Sequence, residues 1–173
     1  LMALMDILLY PDAPLKEIAL PVVKFGAELQ QLAKDMLETM ENNSGVGLAG
    51  PQVGLRQQIV VLCDLETDPI CLINPEIVEM DGNAYGEEGC LSLPELWAQV
   101  PRATHIHVRA QDVEGKELDF EAHNFLARII QHEYDHLQGK VFPDRLDAMT
   151  REAVFDEWND IRARMDTDLS VTD

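Results

Sequence analysis

Apolar residues recur at helical spacing over residues 26–43, where Leu29, Leu32, Ala33, Met36, Leu37 and Met40 share one face. The string Asn42-Asn43-Ser44-Gly45 predicts the stop of that helix. Ahead of it, Pro11, Pro14 and Pro21 break any regular element, so residues 10–21 are expected to form an extended, turn-rich arm. Residues 45–54 read as a glycine-rich loop. Residues 59–63 and 70–73 are β-branched-rich runs bounded by Asp, Pro and Asn, as short strands tend to be. Asp81-Gly82 predicts a tight turn between residues 76–80 and a segment that starts at Ala84. Residues 105–113 alternate, meet Glu114-Gly115, and can return over 117–120 as a hairpin partner.

Asn124 is expected to cap a helix that runs to about Gln138, with Phe125, Leu126, Ile129, Ile130 and Leu137 as its apolar stripe and Gly139 as its stop. A last helix is expected over 147–165, where Val154, Trp158, Ile161 and Met165 keep helical spacing. Helices at both ends of a mostly antiparallel middle third predict the α+β class. No linker or internal repeat interrupts the 173 residues, so one domain over 1–173 is expected.

Charge narrows the function classes. Thirteen Lys plus Arg against 32 Asp plus Glu leave a formal charge of −19, which repels phosphate backbones and anionic headgroups. Nucleic-acid binding through a basic surface is not expected. No apolar run approaches the roughly 18 residues of a membrane span. Residues 1–10 contain Asp6 and no basic stretch, so a signal peptide is not expected. Three cysteines, an odd number with no CxxC pair, agree with a cytoplasmic chain that is not held by disulfides.

The strongest chemical signal is His132-Glu133-Tyr134-Asp135-His136, an HExxH element on the predicted helix of residues 124–138. Two imidazoles four residues apart stand one above the other, close enough to hold one metal ion, and the intervening glutamate is placed to take a proton from a water bound there. Phe125 and Ile129 precede the histidines on the same face, so that face is expected to be buried. A third ligand is required, and no histidine follows His136. The upstream candidates are His105, His107, His123, Cys63, Cys71 and Cys90. Cys63 and Cys71 sit in apolar strands, where buried free thiols are common. His105 and His107 fall on a strand face with no other ligand-like neighbours. Cys90 is the favoured candidate, because it follows Gly89 in a stretch that reads as a loop or strand edge and permits close approach.

Gly45-Val46-Gly47-Leu48-Ala49-Gly50 matches a dinucleotide fingerprint in letters only. It follows a helix and runs into Pro51-Gln52, whereas that fingerprint must follow a strand and open a helix. What remains is a close-approach loop with Gln52 as an amide donor.

Three blocks, residues 45–52, Glu88-Gly89-Cys90-Leu91-Ser92, and Gln131-His132-Glu133-Tyr134-Asp135-His136-Leu137, together resemble the peptide deformylase family. The resemblance runs from Tyr10-Pro11-Asp12 to Gly139. It implies a metal-dependent hydrolase that removes the formyl group from the N-terminal formylmethionine of newly synthesised proteins and releases formate. Under that resemblance His132, His136 and Cys90 bind the metal, Glu133 is the general acid/base, and Gln52 with the backbone N–H of Leu91 stabilises the oxyanion. The ion is expected to be Fe(II), with Zn(II), Ni(II) or Co(II) possible in the same site. Val46, Gly47, Gly89, Phe125 and Ile129 are expected to contact the substrate, whose backbone passes along the glycine loop as an added strand.

Three departures from the family pattern stand out. Gly50 replaces the usual Ala, and Trp97 occupies a place where many bacterial members carry Arg. Residues 148–173 hold three Arg against seven acids. A ribosome contact through a basic C-terminal helix, known in some members, is therefore not expected. Two rival readings remain from the residues alone: an ordinary HExxH peptidase with a carboxylate or histidine as third ligand, and a binding protein with a closed structural metal.

Overall fold

The computed structural model describes residues 4–65 and 67–171. Its elements are α1 (Ala27–Asn42), β1 (Gly47–Ala49), β2 (Ile59–Leu62), β3 (Ile70–Asp81), β4 (Ala84–Cys90), β5 (Leu93–Arg102), β6 (His105–Gln111), β7 (Glu117–His123), α2 (Asn124–Leu137) and α3 (Ala148–Val171). Strands β1, β2, β3, β6 and β7 form one sheet in that order, and β4 with β5 forms a second. Every pairing between these strands is antiparallel, which makes the class α+β.

The apolar run in β2 is explained by burial on both faces. Val60 and Leu62 pack with Ala127, Ile130 and Leu137 of α2, whereas Ile59 and Val61 pack with Leu29, Ala33, Met36 and Met40 of α1. Alternation along the strand thus sends neighbouring residues to two different helices. Val154, Trp158 and Ile161 of α3 close a third cluster over Leu93, Leu96 and Val100 of β5, with Phe142. The Trp158 Nε1–H also donates to the Tyr10 carbonyl at 3.0 Å, which ties the N-terminal arm to α3. No helix among the described residues is long and apolar enough to cross a membrane.

Several expectations need correction. The glycine loop contains a short strand, β1, followed by a 3-10 turn at Gly50–Val53. The tight turn expected at Asp81-Gly82 is present, with Gly82 at φ 76, and it carries the chain from one sheet to the other: β3 pairs with β2 and β6, and β4 pairs with β5. Strand β5 has no counterpart in the sequence reading, because Pro94 and Pro101 disguise it. Prolines are tolerated there because a two-stranded ribbon leaves each strand one free edge. The residue at the N-cap position of α2 is His123, with no side-chain cap bond, and Asn124 is the first helical residue at φ 51. Gly139 does stop α2, at φ 73. Helix α3 begins behind Asp147, whose carboxylate accepts from the Thr150 N–H at 3.0 Å, and continues past Met165.

Candidate active site

Helix α2 presents His132 and His136 in line with Ile129, on a face that borders the cavity. Their ring centroids lie 5.2 Å apart at 66°, and both side chains are buried. Cys90 ends β4, where the register with β5 slips between Glu88 and Cys90; such an irregularity re-aims a side chain at a strand end. It brings the Cys90 Sγ to 3.3 Å from the His136 Nε2. One donor atom each from Cys90, His132 and His136 lies within 4.8 Å of the other two. A thiolate and two imidazoles at that spacing suit a single divalent transition-metal ion.

Behind His132 stands an ion network. The His132 Nδ1 lies 2.8 Å from the Glu88 Oε1, so Glu88 can fix the ring with its Nε2 free on the inner side. Arg102, itself buried, donates from Nε and Nη2 to the two Glu88 oxygens at 2.9 Å each, and from Nη1 to Asp135 at 2.6 Å. Arg128 adds a third cationic contact to Glu88 at 2.7 Å, and Arg145 adds a second one to Asp135. Burial pushes the Glu88 carboxyl up, but the hydrogen bonds from Arg102 and His132 outweigh it and hold the pKa at about 2. Asp135 is likewise held below the usual range: burial opposes ionisation, and Arg145 and Arg102 overcome it.

Glu133 faces the same space. Its Oε2 lies 4.0 Å from the His132 Nε2, and its Oε1 is buried with no protein partner among the described residues. Burial pushes its carboxyl up to about 7, against the charge of His132. Burial, with the charge of His132, pushes His136 down to about 3, which favours the neutral imidazole that ligates metals. Gly47 is required beside Glu133, because a Cβ there would overlap the carboxylate.

Gln52 is almost fully buried, and its amide is oriented from both ends. The Ala49 N–H donates to its Oε1 at 2.9 Å, while its Nε2 donates to the Ser92 Oγ at 3.1 Å and points to the Cys90 Sγ at 3.5 Å. An N–H is therefore held beside the Cys90 sulfur. Gln52, Cys90, His132 and Glu133 line a cavity of about 450 Å³ that also takes in Val46, Gly47, Gly89, Leu91, Phe125 and Ile129. All five residues expected at the substrate are thus brought to it. Phe125 corrects one expectation: it is exposed at the mouth, whereas Ile129 is buried. Gly89 accommodates the exposed Trp97, since a Cβ at 89 would lie 2.5 Å from the Trp97 Cζ3. At Gly50 an added Cβ would lie 2.7 Å from the Gln57 carbonyl oxygen, so this chain's backbone has closed into the space that a side chain would need.

Cys63 and Cys71, the rejected ligand candidates, are partly buried free thiols packed against the α1 side of the large sheet. His105 and His107 do have ligand-like neighbours, contrary to expectation: Glu121 and His123 flank His105, and Asp119 engages His107. Cross-strand register, unreadable before β6 and β7 are paired, supplies them. Sequence reading also assigned no role to Glu88, Arg102, Asp135, Arg128 or Arg145. Glu88 and Asp135 lie inside the matched blocks and could have been flagged as acids too close to the metal ligands to be ordinary surface residues. Arg102 carries no local signal.

Residues 4–152 match the family model described as polypeptide deformylase. The peptide deformylase of Alkalilimnicola ehrlichii is 46% identical over 157 residues, covering 88% of each chain. That of Hydrogenovibrio crunogenus is 46% identical over 149 residues, covering 85% of this chain and 88% of the relative. Among solved structures, the peptide deformylase of Thermus thermophilus superposes with a TM-score of 0.89 at 41% identity, covering 95% of this chain and 99% of its own. That of Legionella pneumophila gives 0.87 at 38% identity, covering 94% and 98%. Identity at this level over nearly the whole length, with the same fold beneath it, settles the kinship that the three blocks suggested: the chain belongs to the polypeptide deformylase family.

Proposed function

We propose that Cys90, His132 and His136 hold one divalent metal ion, and that Glu133, Gln52 and the Leu91 N–H act on a formyl amide placed beside it. The reaction is the family's own: hydrolysis of the N-formyl group on the formylmethionine that starts a newly made protein, with release of formate. The supporting observation is the convergence of one thiol and two buried imidazoles next to a glutamate oxygen that has no protein partner among the described residues. When bound, the ion supplies Lewis acidity and makes water a competent nucleophile near neutral pH. Iron(II) is the ion we assign physiologically, with zinc(II), nickel(II) or cobalt(II) able to take the same donors.

Glu133 accepts the proton of the attacking water and returns it to the departing amine. Gln52 Nε2–H and the Leu91 N–H meet the negative charge that develops on the formyl oxygen. Gln52 costs little reorganisation, because Ala49 and Ser92 already fix its amide. Gln52→Ala is therefore expected to lower kcat about 10²–10³-fold, with less change in KM, in steady-state assays of formate release. Val46, Phe125 and Ile129 form the apolar wall for the methionine side chain, and Gly47 and Gly89 let the substrate backbone approach.

One domain over residues 1–173, working in the cytoplasm on nascent chains, completes this reading. Contact with the ribosome does not run through α3, whose acids outnumber its Arg residues. No direct nucleic-acid or membrane contact is assigned. The experiment supplies a short formyl-Met peptide and analyses the products by mass spectrometry. Loss of the formyl group with every peptide bond intact is expected; internal cleavage with the formyl group retained overturns this reading in favour of an ordinary HExxH peptidase.

A further inference from the structure

Of the chain's five histidines, the three outside the active site all lie on the hairpin of β6 and β7. His105 opens β6, His123 closes β7, and the register sets them directly opposite one another. Their rings stack at 4.5 Å between centroids and 26° between planes. Glu121, two residues before His123 and hence on the same sheet face, reaches diagonally to the His105 Nε2 at 3.3 Å. One donor atom from each of the three lies within 4.8 Å of the other two. His107 is the register partner of Glu121 on the same face, but its ring engages Asp119 instead.

We propose that His105, Glu121 and His123 form a second divalent-cation site, on the sheet surface, for a borderline ion of the zinc(II) class. Two imidazoles and one carboxylate are a donor set that zinc uses, with the fourth position left to water. The donors are preorganised by ladder pairing, and the Asn124 N–H donates to the Thr104 carbonyl at 2.8 Å just beyond them, which pins this end of the hairpin. The surroundings are anionic: Asp81 is the register partner of His105 on β3, and the whole chain carries −19. His123 also occupies the N-cap position of α2, the helix that bears His132 and His136. An ion here ties the start of that helix to β6 while leaving the cavity untouched.

The test dialyses zinc-loaded protein against buffered free zinc and counts metal per chain in wild type, His105→Ala, His123→Ala and His107→Ala. Wild type is expected to carry one equivalent more than His105→Ala or His123→Ala, with His107→Ala equal to wild type. Glu121→Gln, which leaves both imidazoles and the helix start intact, is expected to weaken that equivalent about tenfold or more. The melting temperature should rise with the extra zinc in wild type and not in His123→Ala, and formate release should be the same in all. No difference in metal content between wild type and the two alanine variants overturns the site. The comparison reads a difference between chains that share the Cys90 cluster, so failure at that cluster does not imitate failure here.

Discussion

Glu133→Gln is expected to lower kcat for formate release by about 10²–10⁴-fold, the usual worth of a positioned general acid/base, while bound metal stays at the wild-type level. The amide keeps the size of the carboxylate, so its packing against Gly47 survives. What disappears is the proton acceptor: Glu133 lines the cavity, one of its oxygens has no protein partner among the described residues, and burial has raised its carboxyl to about 7, within reach of both protonation states near neutral pH. A group poised there can take a proton from water and give it to an amine in one turnover. Single-turnover assays on metal-matched proteins separate this from binding. Equal rates for the two proteins would remove Glu133 from the chemistry.

Arg102→Met is expected to destabilise the fold by about 3 kcal/mol in urea unfolding. The guanidinium bridges two buried carboxylates, Glu88 and Asp135, and its removal leaves both without their shared cation. Loss of one partner of a buried pair costs roughly 3–5 kcal/mol; the lower end applies because Arg128 and Arg145 still reach one carboxylate each. The same network sets the acid sensitivity. Glu88 has a folded pKa of about 2 against an ordinary value of 4.5, so its contribution is complete above the ordinary range and is lost as pH falls from there towards 2. The wild-type advantage over Arg102→Met should therefore shrink across that acid window. A variant as stable as wild type at neutral pH would show that the network contributes nothing net.

The helical elements were readable because their signals are local. The apolar stripe of α1, the HExxH spacing and the glycine that stops α2 are each read within a few turns of a single helix. Strand β5 is hidden by Pro94 and Pro101, and the turn at Asp81-Gly82 is legible while the partners of β3 and β4 are not, because a tight turn looks the same whether its strands pair or part to separate sheets. At the site, motif residues were legible and their support was not. Glu88 touches His132 across 44 positions, and Arg102 reaches Asp135 across 33. Such pairs leave no spacing to read. Phe125 was misplaced for a related reason: helical phase puts it in line with Ile129, but α2 emerges from the core at its first turn, where that face meets the open mouth of the cavity.

X-ray absorption at the metal edge, on protein carrying a single equivalent of zinc, tests the shared ion most directly. A first shell with one sulfur at about 2.3 Å and two imidazole nitrogens at about 2.0–2.1 Å is expected in wild type, and the sulfur contribution should vanish in Cys90→Ser. A wild-type shell without sulfur, or one that is unchanged in Cys90→Ser, would contradict coordination by Cys90 together with His132 and His136.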